Sequence, residues 1–165
     1  MNTAFISLGS NMGDSENILA RAMERLAELS SKPLLKSSLW QTTPVDCPPG
    51  SPPFVNAVVG LTPRWGETPE SLLTKMQQLE REFGRKPKAI LNEPRRLDLD
   101  LICFGEETRA SRQLILPHPR ACERRFVLAP LAEVAPRLIL PGQNRTVAQQ
   151  LADLDSPERV FRLSD

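Results

Sequence analysis

Arg95-Arg96-Leu97-Asp98-Leu99-Asp100-Leu101-Ile102-Cys103-Phe104 is the stretch on which the fold turns. Apart from its two aspartates it reads as a buried β-strand, and a strand here completes the element order of the chain. Side chains alternate across a strand with a period of two, so Asp98 and Asp100 project from one face while Leu97, Leu99, Leu101 and Cys103 line the other. Asp is depleted in strands, and two like charges at this spacing repel. A divalent cation removes the repulsion, and a hard ion such as Mg²⁺ takes one or two carboxylates plus phosphate oxygens.

Working outward, Thr3 to Leu8 is a β-rich run stopped by Gly9, and a helix starts near Asp14 or Ser15, both capping residues. Ile18, Leu19, Ala22, Met23, Leu26 and Leu29 recur at helical spacing and form its buried stripe. Lys36 to Thr43 and Phe54 to Leu61 read as strands on either side of a proline loop. Thr68-Pro69-Glu70 opens a second helix, with Leu72, Leu73, Met76, Leu79 and Phe83 on its core face and Gly84 as its stop. The order to this point is β-α-β-β-α-β, which predicts an α/β (α+β) ferredoxin-like core: an antiparallel sheet with helices on one face and active-site loops on the other. The long irregular stretches Thr43 to Pro53 and Arg85 to Arg96 are the candidate lids, and beyond Gly105 come shorter elements with a helix from Thr146 to Leu154.

The chain has 165 residues, enough for one domain (1–165) that buries roughly 70% of its unfolded surface. Its 3 cysteines, Cys47, Cys103 and Cys122, have neither CxxC nor zinc spacing and read as free thiols of a reducing compartment, Cys103 as a small core residue. A net charge of +1 offers no broad attraction to nucleic acid or to a membrane surface. No segment has the run of about 20 apolar residues that spans a bilayer, and the N-terminus lacks a leader pattern, so the expectation is a cytoplasmic protein. Proline, at 16 residues, is about twice as frequent as the usual ~5%, and its clusters at 44–53 and 117–141 read as stiffened loops.

Arg85, Lys86, Lys88, Arg95 and Arg96 concentrate positive charge just before the aspartate pair. Alone they read as a solvated loop. Joined to Asp-x-Asp they suit a metal-bound polyphosphate, with cations on the oxygens and acids on the ion. Gln77 and Glu80 flank the second helix's apolar stripe, where they face a ligand or simply mark the helix boundary. His118, the single histidine, lies between Pro117 and Pro119 with Arg120, Arg124 and Arg125 close behind; it is either an incidental loop residue or part of a phosphate site. Asn56, an amide in an apolar strand, needs partners that a heterocycle or a neighbouring backbone would supply. Gly9-Ser10-Asn11-Met12-Gly13-Asp14 lacks both GxGxxG spacing and a GKS/GKT ending and reads as a strand-to-helix turn.

In order along the chain, Leu8-Gly9-Ser10-Asn11, Thr42-Thr43-Pro44 with Phe54-Val55-Asn56-Ala57, Gly84-Arg85, Pro94-Arg95-Arg96-Leu97-Asp98-Leu99-Asp100, Leu116-Pro117-His118-Pro119-Arg120 and Arg124-Arg125-Phe126-Val127-Leu128 together resemble the 6-hydroxymethyl-7,8-dihydropterin pyrophosphokinases of folate biosynthesis. The resemblance implies transfer of pyrophosphate from ATP to a pterin hydroxymethyl group, with two Mg²⁺ ions held by Asp98 and Asp100. It implies ATP contacts at Gln77, Glu80, Arg85, Arg95, Leu101, Leu114, Ile115, His118 and Arg124, with Arg85 and Arg95 also catalytic. It places Thr42, Thr43, Pro44, Val45, Phe54, Asn56, Asp98 and Phe126 around the pterin, with Phe54 and Phe126 stacking and Asn56 reading an edge. Small-molecule substrates, no nucleic acid, no membrane and a monomer are the expected partner state. Many family members carry Trp-Gly where this chain has Asn92-Glu93, and Gln113 and Asp46 also depart from common family residues. Asp-x-Asp also occurs in nucleotide-sugar transferases, but Phe54, Asn56 and Phe126 favour a flat heterocycle. A ferredoxin-like RNA-binding module would need exposed strand aromatics, and the chain has 0 Tyr.

Overall fold

The computed structural model describes residues 2–11, 14–42, 53–84 and 97–163. Apart from Pro53, both candidate lids, and with them Thr43, Pro44, Val45, Arg85 and Arg95, lie outside the described residues. The elements are β1 (Ala4–Ser10), α1 (Ser15–Ala27), β2 (Leu35–Lys36), β3 (Trp40–Thr42), β4 (Phe54–Leu61), α2 (Pro69–Glu82), β5 (Asp98–Phe104), β6 (Arg109–Ala110), β7 (Ile115–Leu116), a 3-10 turn (Ala121–Glu123), α3 (Arg125–Val134), α4 (Val147–Asp153) and β8 (Val160–Arg162).

The main sheet runs β5-β1-β4-β3-β8, with β2 also on β4. Every pair is antiparallel, Ala4 opposite Leu61 through Ser10 opposite Val55 between β1 and β4. Each helix crossover therefore skips a strand, α1 leaving β1 for the β2/β3 position and α2 leaving β4 for β5, and this is the ferredoxin-like order expected from the sequence. Ile18, Leu19, Ala22 and Leu26 of α1 and Leu72, Met76 and Leu79 of α2 pack on Ile6, Leu8, Val59 and Leu61. Each such leucine, isoleucine, valine or methionine side chain contributes about 1.5–3 kcal/mol by leaving water. Thr68 opens α2 as its sequence predicts: its Oγ1 accepts from the Ser71 N–H at 3.1 Å, and Ser71 Oγ accepts from the Thr68 N–H at 2.9 Å. Asp14 stands at the N-cap of α1 but makes no capping side-chain bond there.

Four local expectations are corrected. β1 passes through Gly9 to Ser10, because glycine in the strand accommodates a neighbour rather than ending the ladder. The strand expected at 36–43 is split: Ser37 Oγ accepts from the Val58 N–H at 2.9 Å in place of a main-chain carbonyl, separating β2 from β3. Cys103 does not share a face with Leu97, Leu99 and Leu101. The pairing of β1 with β5 shifts between Phe5 and Ile6, so a bulge at Ile102 turns Cys103 to the opposite face. The proline-rich stretch after 117 is not all loop. It holds α3, with Pro130 inside the helix, where burial of Val127, Leu128, Ala129, Pro130 and Leu131 outweighs the lost hydrogen bond.

That last element changes the second sheet face. Phe5, Val58, Ile102, Cys103, Val127, Leu128, Leu131, Leu140 and Val147 form a second core between the sheet and α3 and α4. The second face is thus half roofed by helix, and its remaining half, around the N-terminal end of β5, is where polar side chains collect.

Candidate active site

Register decides which of these polar side chains meet. Gly9 pairs with Asn56 on one side and Asp98 on the other, and Asn56 pairs with Trp40. Directly paired residues of antiparallel strands share a face, so Asp98, Gly9, Asn56 and Trp40 form one transverse row. Strands lie about 4.8 Å apart, which sets Asp98 and Asn56 about 10 Å from each other across a glycine. A Cβ at Gly9 would come within 2.9 Å of Asn56 Nδ2. The amide therefore lies over Gly9, and the row has a floor of bare backbone.

Asn56 is 4% exposed, and its Oδ1 accepts from the Thr42 hydroxyl at 2.7 Å. That bond orients the Asn56 NH₂ toward the glycine floor. Phe54, opposite Thr42 and two residues from Asn56, stands on the same face at the rim and is 40% exposed. An aromatic so placed offers a stacking surface.

The next row contains Asp100 opposite Ser7, itself opposite Val58. Asp100, Ser7, His118 and Arg124 line one shallow cleft with Ile102, Ala121 and Val127. His118 is held by its own N–H, which donates to the Ile102 carbonyl at 2.8 Å, and by Nδ1, which accepts from the Arg120 N–H at 3.2 Å. Nε2 is left with the proton and lies 3.9 Å from Asp100 Oδ1. Burial pushes the imidazole pKa below its usual 6.5, Asp100 works against that, and Arg124 and Arg120 add to it.

Asp98 and Asp100 are half-exposed, one residue apart in facing direction, and backed by a serine. Among the described residues no group of three or more His, Cys, Asp and Glu converges. A cation here would take the two carboxylates and leave the rest of its shell to ligand oxygens, which is the donor set a hard ion such as Mg²⁺ accepts.

The remaining expected residues divide. Glu80 is 6% exposed, and its Oε2 accepts from the Leu99 N–H at 2.9 Å, so it braces the outer edge of β5 between the two aspartates. Gln77 is exposed one turn earlier on α2. Leu101 and Leu114 are buried in the α1/α2 core, whereas Ile115 is 50% exposed on β7. Phe126 is half-buried at the start of α3, with the Arg124 guanidinium 5.5 Å from its ring centre. The structure thus gathers Asp98, Asp100, His118, Arg124, Thr42, Asn56 and Phe54 on one open half-face.

Two contributors were not singled out from sequence. Ser7 is 5% exposed beside Asp100, and only strand alternation in Phe5-Ile6-Ser7-Leu8-Gly9 signals it. Trp40 stands next to Asn56 and donates from Nε1 to Glu133 Oε1 at 2.9 Å; Glu133 also accepts from Ser38 N at 2.9 Å and from Ser38 Oγ at 2.6 Å. Nothing local connects residues so far apart in the chain.

A carboxylate pair, an imidazole and a guanidinium beside a buried amide and an exposed aromatic, carried on a ferredoxin-like sheet, are groups suited to holding an anion next to a flat polar ring. Residues 5–136 match the family model for 7,8-dihydro-6-hydroxymethylpterin-pyrophosphokinase. The chain is 41% identical over 134 residues to the 2-amino-4-hydroxy-6-hydroxymethyldihydropteridine pyrophosphokinase of Bacillus subtilis, covering 81% of this chain and 78% of that protein. It is 36% identical to the protein of the same name from Methylorubrum extorquens, over 99% of each. Among solved structures, a Plasmodium falciparum HPPK-DHPS chain superposes with a TM-score of 0.72 at 15% identity, over 92% of this chain; that likeness concerns the fold, and this chain spans 45% of that one. The chain belongs to the 7,8-dihydro-6-hydroxymethylpterin-pyrophosphokinase family. It is a pyrophosphokinase of folate synthesis, acting on a hydroxymethyldihydropterin.

Proposed function

We propose that residues 1–165 act as one domain that transfers the pyrophosphoryl group of ATP to the hydroxymethyl oxygen of 6-hydroxymethyl-7,8-dihydropterin, with AMP leaving. The observation that carries this reading is the row Asp98-Gly9-Asn56, which joins a heterocycle-reading amide to a carboxylate across a side-chain-free floor. The pterin lies over Gly9 with its amide edge at Asn56 and its hydroxymethyl group toward Asp98. Phe54 and Phe126 hold its faces, and Thr42 keeps Asn56 in the reading orientation.

Asp98 and Asp100 hold two Mg²⁺ ions, which supply charge neutralisation for the ATP phosphates. His118 Nε2 and the Arg124 guanidinium, which line the same cleft as Asp100, donate to phosphate oxygens. Glu80 keeps β5 in place through Leu99. Gln77, Leu101, Leu114 and Ile115 border the nucleotide, the two buried leucines through their main chain. Arg85 and Arg95 meet the transferred phosphates, and Thr43, Pro44 and Val45 complete the pterin wall. Holding hydroxyl and phosphorus in line converts a bimolecular encounter into an effectively unimolecular step. Among the described residues no helix is long and apolar enough to cross a membrane; we place the enzyme in the cytoplasm and take it to act as a monomer.

The test is to incubate the protein with ATP, Mg²⁺ and the pterin alcohol and to separate the nucleotides. AMP formed one-for-one with pterin diphosphate is the expected result; ADP as sole nucleotide product would overturn the reading. Omission of Mg²⁺ in the presence of a chelator should abolish turnover.

A further inference from the structure

The C-terminal segment and the first turn of α3 are tied by bonds that the site reading leaves unused. A helix start leaves N–H groups without partners inside the helix. Arg124, at the N-cap of α3, provides no capping side-chain bond. The Phe126 N–H is met instead by Glu158 Oε1, at 2.7 Å across 32 residues of chain. Arg125 reaches in the opposite direction, donating to the carbonyls of Leu154 at 2.9 Å, Ser156 at 3.2 Å and Glu158. The Glu158 N–H donates to Ser156 Oγ at 3.2 Å, closing the segment on itself. Just beyond, β8 pairs with β3, Val160 opposite Thr42 and Arg162 opposite Trp40. The segment is therefore fixed to the sheet at one end and to α3 at the other. All of it lies past residue 136, where the family match ends.

The turn it holds carries Phe126 and Arg124, whose ring and guanidinium sit 5.5 Å apart. We propose that Glu158 is a positioning residue for both substrates: its carboxylate fixes the first turn of α3, and through that turn sets the Phe126 ring for the heterocycle and the Arg124 guanidinium for the phosphates. A carboxylate at a helix N-terminus is favoured by the helix dipole as well as by the hydrogen bond. The inference rests on the substrate roles given above to Phe126 and Arg124.

Four variants test it: Glu158→Ala, Glu158→Gln, Phe126→Ala and the Glu158→Ala/Phe126→Ala double substitution, each assayed for kcat, for KM with ATP and pterin separately, and for thermal midpoint. Glu158→Ala is expected to raise both KM values by about fivefold or more, with a smaller change in kcat. Glu158→Gln keeps an acceptor oxygen and should restore both to within about twofold. In the Phe126→Ala background the added effect on pterin KM should shrink, because the ring to be positioned is gone. Amide exchange at Phe126 should quicken in Glu158→Ala and not in Glu158→Gln. If Glu158→Ala lowers the thermal midpoint but leaves both KM values unchanged, while Phe126→Ala raises pterin KM, the positioning role is overturned and the site reading stands. If Phe126→Ala itself leaves pterin KM unchanged, the site reading fails and the proposal with it.

Discussion

Gly9 is where one missing side chain decides most. Its backbone is ordinary extended strand, so alanine there meets no conformational strain; it meets Asn56 Nδ2 at 2.9 Å. Gly9→Ala should displace the amide and fill the floor between Asn56 and Asp98. The expected outcome is a rise in pterin KM on the order of tenfold, with a fall in stability of about 1–3 kcal/mol from crowding. Steady-state kinetics with ATP saturating would check it, and an unchanged pterin KM would remove Gly9 from the pocket. Asp98→Ala and Asp100→Ala should each reduce turnover on the order of a hundredfold or more, with the domain still folded by circular dichroism. Turnover equal to wild type in either variant would put the metal elsewhere. The aspartates and Asn56 were legible in the sequence because each breaks the composition expected of its strand. In sequence Gly9 reads as a strand stop, because a glycine's neighbours across the sheet are invisible in one dimension. Glu158 and Glu133 gave no local signal, since a surface carboxylate looks the same whatever it caps.

At the scale of elements, α3 is the correction with the most consequence. Pro130 and the uncapped Arg124-Arg125 start hide this helix from propensity reasoning, and the apolar face it buries against β4 and β5 restores it. Glu133 clamps α3 to β3 through Ser38 and Trp40, with the Arg162 guanidinium 3.8 Å away. Burial raises its carboxyl pKa, but the hydrogen bonds from Ser38 and Trp40 and the charge of Arg162 outweigh burial and leave it below the usual 4.5. A carboxylate lowered on folding stabilises above its unfolded pKa, and that contribution is lost as pH falls from about 4.5 through the folded value. Glu133→Gln should therefore be less stable by about 1–3 kcal/mol at neutral pH, and the gap to wild type should narrow by about pH 3. Urea denaturation at the two pH values decides this, and an equal gap at both would exclude the clamp as the titrating group.

For the whole molecule, the sheet is a wall between two cores, and the candidate site occupies the part of one face that helices leave uncovered. Leu128, at 0% exposure in the second core, should cost about 2–5 kcal/mol on truncation to alanine, as much as a residue of the first core. Chemical denaturation followed by fluorescence and by circular dichroism should still give one transition, whereas two would mean that the cores unfold separately. Cys103, 1% exposed between sheet and α3, has its thiol pushed up to about 11 by burial. It should resist alkylation at about pH 8 until the protein is unfolded. Peptide mapping after a short iodoacetamide pulse would detect the contrary. The sequence by itself determined the order of strands and helices, the ferredoxin-like topology, the family and the odd residues in the strands, because periodicity, capping and composition are local properties read in chain order. Only the tertiary structure decided that Gly9 separates Asn56 from Asp98, that a bulge sends Cys103 to the far face, that α3 roofs half the sheet, and that a C-terminal carboxylate holds the turn carrying Phe126. Those outcomes depend on register and on contacts between distant segments, where the energy of burial and of satisfied hydrogen bonds outweighs local preference.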